Sequence, residues 1–195
     1  MKRLHLAIVT ALVLLSPAVF SQRVRLMEGD IGPAKADRSI NLQYAYDNMR
    51  VGKFDKESEY VSNKTDEYNK KESGKGDQWA KTWVADRKNR YEPKFQETFF
   101  RYSDMTQGDG KAKYTLIFKT SFTEPGYNIG IMNKAAYIDG EAWIVETANP
   151  NNVIAKISVT RAPGRSFYGA DFDTGERISE AYAQAGRAVG AFMRH

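Results

Sequence analysis

Tyr114-Thr115-Leu116-Ile117-Phe118-Lys119-Thr120-Ser121-Phe122 is the stretch on which the fold turns. Tyr114, Leu116 and Phe118 oppose Thr115, Ile117 and Lys119, the period of a strand whose faces meet different surroundings. Two further strands follow, over residues 135–147 and 153–160. Asn149-Pro150-Asn151-Asn152 lies between these two and reads as a hairpin turn. Glu124-Pro125-Gly126-Tyr127-Asn128-Ile129-Gly130, between the first two, reads as a longer loop. Links this short make neighbouring strands antiparallel.

On the N-terminal side, Trp79, Trp83, Val84, Arg87, Tyr91, Phe95 and Phe99 recur at spacings near four. This predicts a helix packed on the sheet, which kinks or restarts at Pro93 because proline removes a hydrogen bond and clashes with the preceding turn. Asp77 is positioned to cap it. Residues 56–71 read as a charged surface helix. Ile40, Leu42, Tyr44 and Tyr46 share one face of a strand that the pattern continues to Met49 or Val51. Residues 23–27 read as a first short strand, and residues 29–35, with Gly29, Gly32 and Pro33, as a turn.

On the C-terminal side, Ile178, Ala181, Tyr182, Ala185, Val189 and Phe192 form the apolar face of a last helix. Asp173 precedes Glu176 by three, as in a capping box. Gly186 and Gly190 predict close approach of this helix to the sheet. The order strand, strand, helix, helix, three strands, helix suits an α+β two-layer sandwich. Its sheet is mixed and mostly antiparallel, of about five strands, with helices mainly on one face.

Residues 1–21 read as an export tag: Lys2 and Arg3, an apolar run from Leu4 to Leu15, then Ser16, Pro17 and a cleavage point before Gln22. A membrane span needs about 20 apolar residues, and the apolar core here is 12. Residues 22–195 are then expected to form one α+β domain in the periplasm or cell envelope, with no transmembrane segment. With no cysteine to carry a lipid, none tethers it.

Removing Lys2 and Arg3 from the 29 basic residues leaves 27 against 24 acidic ones. So small and dispersed an excess, in an exported chain, argues against nucleic-acid binding. The histidines are His5, in the tag, and His195, the last residue. Nucleophilic triads therefore lack a base, and zinc sites lack their usual ligands. No cofactor is expected.

Three groups of residues remain as sites. Asp171, Asp173 and Glu176 could gather oxygen ligands for a hard cation, but their spacing is not that of a calcium loop and Asp173 is needed as a cap. Asp139, Glu141 and Glu146 could supply an acid and a base for glycoside cleavage, although a solvated strand face looks the same. The loop from Glu124 to Gly130 is the expected binding rim, with Tyr127 and Asn128 as contacts and Gly126 and Gly130 shaping the backbone.

Glu124-Pro125-Gly126-Tyr127-Asn128-Ile129-Gly130, Tyr137-Ile138-Asp139-Gly140-Glu141 and Asp171-Phe172-Asp173-Thr174-Gly175-Glu176-Arg177-Ile178 carry a resemblance. So do Gly74-Lys75-Gly76-Asp77, Trp79 and Trp83. They resemble a family of exported Bacteroidetes-type proteins of unknown function. More distantly, the layout is similar to small envelope domains of the curli-assembly lipoprotein and translocation-protein type. That likeness implies helices on one side of a sheet and action through protein contacts, and it supplies no catalytic residues.

Two functions follow as expectations. One is a non-enzymatic envelope protein that binds a protein partner through a sheet edge or the Gly126 loop. The other is a binder of small molecules or glycans, or a carboxylate-dependent hydrolase, working in a cleft between the aromatic helix and the sheet. A free strand edge or a wide exposed patch favours the first. Two carboxylates facing each other across a pocket favour the second.

Overall fold

The computed structural model describes residues 22–129, 132–164 and 173–195. The predicted export tag, Gly130 and Asp171 lie outside the described residues. The elements run β1 (Arg23–Gly29), α1 (Gly32–Asp37), β2 (Ser39–Ala45), β3 (Arg50–Val51), α2 (Glu57–Lys71), α3 (Lys75–Asp86) and α4 (Glu92–Ser103). There follow β4 (Thr106–Gln107), β5 (Tyr114–Glu124), β6 (Tyr127–Ile129), β7 (Met132–Lys134), β8 (Ala136–Glu146), β9 (Asn149–Gly164) and α5 (Thr174–Arg194). A π-helical turn, Arg87–Tyr91, joins α3 to α4.

One mixed sheet of seven strands runs β1-β9-β8-β5-β2-β4, with β3 paired to β5. The pairs β1/β9, β8/β9 and β5/β8 are antiparallel, while β2 and β3 run parallel to β5. The α+β class holds. The expected five strands become seven because β3 and β4, two residues each, are too short to show alternation. β2 ends at Ala45 rather than continuing to Val51, and α1 begins at Gly32, inside the turn expected at residues 29–35.

The alternation of residues 114–122 orients the sheet. Leu116, Phe118, Ile138, Ala142, Ile144, Ala155, Ile157 and Val159 are buried under the helices. Phe95 of α4 and Tyr182 of α5 reach Phe118, with ring centroids 4.6 and 6.0 Å away. Burying such aromatic and aliphatic side chains contributes about 1.5–3 kcal/mol each. Gly186 and Gly190 do not approach the sheet as expected: they lie against the backbone of α4 at Phe95 and Phe99.

The aromatic helix also divides its work. Trp79 and Trp83 pack on α2, where Tyr60 lies 5.8 and 5.0 Å from them, and Val84 is exposed. Phe95, past Pro93, reaches Phe118 of the sheet, and Phe99 stacks beside it at 6.2 Å. Pro93 cannot donate to the Asn89 carbonyl and would collide with it in a straight helix. The π turn directly before α4 relieves both problems by widening the backbone there. Helix α3 starts at Lys75 behind Gly74, so Asp77 stands in its first turn rather than at its cap.

The hairpin between β8 and β9 turns at Thr147 and Ala148, not at residues 149–152. Val145 pairs with Val153 and Glu146 with Asn149, so residues 150–152 are the surplus of a bulge. Pro150, with no N–H to give the ladder, fits such a place. The loop expected from Glu124 to Gly130 instead opens a small antiparallel hairpin, with Tyr127 opposite Lys134 and Asn128 opposite Asn133.

Candidate functional site

The face of the sheet turned away from the core cluster carries polar, charged and aromatic side chains. Paired positions put Gln43, Ile117, Trp143 and Lys156 in one row and Ala45, Lys119, Glu141, Ser158 and Arg25 in the next. Cross-strand neighbours about 5 Å apart on one face interact directly. Lys119 Nζ stands 3.5 Å from the centroid of the Trp143 ring, and Lys156 Nζ 4.7 Å from it. The Trp143 indole N–H donates to Glu141 at 2.6 Å, which fixes the ring. Lys156 also meets Glu28 at 2.7 Å.

A second group lies further along the same face. The bulge at Ser121 turns Phe122 outward, beside Tyr137 at 5.4 Å. The Arg50 guanidinium stands 5.8 Å from the Phe122 ring and that of Arg161 4.7 Å from Tyr137. Two aromatic centres on one sheet face therefore each hold two cations. A half-desolvated cation over a ring is stabilised by about 0.5–2 kcal/mol. Arg50 also pairs with Asp55 at 3.2 Å, while the Lys119 ammonium keeps N–H donors for an approaching anion.

The predicted rim is anchored tightly at its neck. Arg177, 4% exposed, donates to the carbonyls of Pro125 and Gly126 at 3.3 Å each and to Thr174 Oγ1 at 3.0 Å. Glu124 accepts from the Gly126 N–H at 3.2 Å and pairs with Lys134 at 2.6 Å. Gly126 itself adopts φ +65°, a conformation that favours glycine. Tyr127, 43% exposed, is one of the larger exposed apolar groups. Asn128 sits on β6, and the position of Gly130 is not described. The neck residues hold backbone rather than forming an anion cradle.

The carboxylates are not gathered into a site. Asp139 accepts from the Arg161 N–H at 2.6 Å, and Glu141 is bonded to Trp143. Glu146 pairs across the ladder with Tyr114, two positions beyond Ile144. Asp139 and Glu141 line an open face, not opposite walls of a cleft. Asp173 caps α5 by accepting from the Gly175 N–H at 2.8 Å and pairs with Arg90 at 2.6 Å. Burial alone would raise the Asp173 carboxyl. The Arg90 guanidinium and the backbone N–H groups of Gly175 and Glu176 outweigh it and hold it below the usual range. Asp86, on the other side of Arg90, is lifted above that range by burial. Among the described residues no group of three or more His, Cys, Asp or Glu could hold a metal ion.

Several half-buried polar groups near the π turn pair with one another. Glu57 accepts from the Trp83 indole at 2.7 Å and pairs with Arg87. Arg87 lies 4.2 Å from the Tyr46 ring, and Tyr182 shares a hydrogen bond with Thr120 at 2.6 Å. A cavity of about 10 Å³ between Tyr46, Glu57, Arg87, Tyr91 and Tyr182 has room for about one water. That is too small for a substrate. Other depressions, such as one of about 380 Å³ along Lys88, Glu92, Gln96 and Phe100, are open surface grooves. No helix among the described residues is long and apolar enough to cross a membrane.

In the sequence Lys119 is the polar phase of a strand; the signal for Trp143 and Lys156 is an aromatic in that phase with lysines at pairable positions. No family model matches the sequence, and no curated protein matches it. The chain is similar to the PelC dodecamer from Paraburkholderia phytofirmans at 12% identity and a TM-score of 0.38, over 84% of this chain and 96% of that one. A PelC variant dodecamer from the same organism gives 13% and 0.37, over 84% and 97%. These values are too low to transfer a function.

Proposed function

We propose that the protein is an exported, non-enzymatic interaction module of the cell envelope, and that it binds a protein partner through the bare face of its sheet. The observation that carries this reading is the pair of cation–aromatic groups spread across that face, around Trp143 and around Phe122 with Tyr137. The site is wide and open, as expected for a protein contact rather than for a reaction that must exclude water. The scarcity of histidine and cysteine agrees with a role without catalysis. Export rests on the tag-like residues 1–21, and the resemblance to exported Bacteroidetes-type proteins is in keeping with it. The Lys119 ammonium beside Trp143 suits a carboxylate on the partner surface.

The test is photocrosslinking of the exported chain in its own cell, from Ser158 on the bare face and from Glu97 on the helical side. One recurrent protein adduct is expected from position 158, weakened by Lys119→Glu and absent from position 97. Equal capture from both positions would overturn the reading. The second reading, a glycan or small-molecule binder, has the fixed Trp143 ring in its favour. It would show as thermal stabilisation by a glycan, lost in Trp143→Ala, with no adduct. Tyr127→Ala and Asn128→Ala measure separately what the hairpin adds.

A further inference from the structure

β1 is the sheet's long free edge. On one side it pairs with β9, and no described strand pairs with the other, whereas the opposite edge, β4, is two residues long. All of β1 is exposed except Val24. At its centre stand Leu26, 42% exposed, and Met27, 64% exposed. Such an edge offers unpaired N–H and C=O groups to another strand.

The strand and the residue after it read Arg23-Val24-Arg25-Leu26-Met27-Glu28-Gly29-Asp30. Two cations, two large apolar residues and two anions follow in order. Read antiparallel, this pattern is complementary to itself. We infer that two copies of the chain pair through β1, antiparallel, about a two-fold axis between Leu26 and Met27. Arg25 then meets the partner subunit's Glu28, Arg23 meets the partner subunit's Asp30, and Leu26 packs on the partner subunit's Met27. Because the axis is two-fold, each contact occurs twice.

The register with β9 supports this pairing in a way the sequence alone does not. Arg25 lies opposite Ser158 and Glu28 opposite Lys156, so both face the bare side. Residues three apart on a regular strand point to opposite faces. They share one here because Met27 is the extra residue of a bulge. Val24 and Gly29 pair with Val159 and Ala155, on the helical side. The Arg25–Glu28 and Val24–Gly29 pairs therefore each join residues on one face, which a bulge-free strand would prevent. Among the described residues Arg23 and Arg25 have no ion pair, and Glu28, bonded to Lys156, is still 64% exposed.

A single strand pair covers less than the ~1,200 Å² that stable complexes reach, so the dimer dissociates on dilution. The inference does not depend on what binds the bare face.

Sedimentation velocity on the exported chain over a dilution series tests it. The wild-type protein is expected to pass from monomer to dimer as its concentration rises. Arg25→Glu alone and Glu28→Arg alone each set like charges opposite one another, so each stays monomeric. An equimolar mixture of the two restores a dimer with one copy of each, and the double variant restores its own. Unchanged far-UV circular dichroism confirms that these exposed substitutions leave the fold intact. A wild-type chain that stays monomeric at every concentration, or pairs through β1 only with another protein, overturns the inference. So does a dimer that survives both single variants, or a mixture that fails to recover one.

Discussion

Tyr91 is 4% exposed, and its hydroxyl has no hydrogen-bond partner among the described residues. Its ring is well used, stacked on Tyr182 at 5.1 Å. An unpaired buried hydroxyl costs about 1–3 kcal/mol, so removing it while keeping the ring is favourable. Tyr91→Phe should stabilise the protein by about 1 kcal/mol in urea unfolding; a loss of stability would show that the hydroxyl is bonded in solution. Asp173 is the opposite case, a polar group with several partners. Its cap was legible from the spacing to Glu176. Its pairing with Arg90 was not, because the two are 83 residues apart in the chain. A carboxyl held below its unfolded value, about 3.9, adds stability that is fully present above that pH. The contribution fades as pH falls through the depressed folded value. Asp173→Asn keeps the cap oxygen and deletes the charge, at a cost of about 0.5–1 kcal/mol near neutral pH. The gap between wild type and variant should close as the solution is acidified below pH about 4. A gap that is constant with pH would place the effect in packing.

At the level of elements, substitution at α5 inverts an ordinary rule. Replacing glycine by alanine inside a helix normally gains about 1 kcal/mol. A Cβ on Gly186 would overlap the Phe95 carbonyl, and one on Gly190 would stand 2.6 Å from that of Phe99. Both neighbours are backbone and cannot rotate away, and overpacking of this kind costs about 1–3 kcal/mol. Gly186→Ala should therefore lower stability by about 1 kcal/mol net, read from the urea midpoint; a gain would mean that α4 and α5 separate freely. That these glycines mark a close approach was readable from the small residues around them. That the approach is to α4 was not, because periodicity gives a face and not its neighbour. The same limit explains Trp79 and Trp83, whose spacing announced a packed helix but not that α2 receives it. Short pieces failed for another reason: β3, β4, β6 and β7 hold two or three residues each, too few for a period of two to register.

Across the whole molecule, one asymmetry organises the rest. Among the described residues, the helices that reach the sheet, α4 and α5, pack on one side of it, and the other side is left to Trp143, Lys119, Lys156 and their neighbours. The polar phase of the long strands carried that information from the start, since Ile117 and Lys119 stand opposite Leu116 and Phe118. What it could not convey was that no described element covers it, or that Trp143 would gather lysines from two strands. The asymmetry has a direct energetic consequence for adjacent residues. Leu116 is fully buried, and Ile117, next in the chain, is only partly so. Leu116→Ala removes contacts in a close-packed layer and leaves a cavity, at a cost of about 2–5 kcal/mol. Ile117→Ala strips apolar area from a surface that water already reaches, so it should cost about 1 kcal/mol or less. Paired urea titrations at equal protein concentration compare the two. Equal, large losses would mean that the bare face is covered in solution by something that protects Ile117 as the helices protect Leu116. If the loss at Ile117 grew with protein concentration, the cover would be another copy of the chain, on the sheet face rather than at its β1 edge.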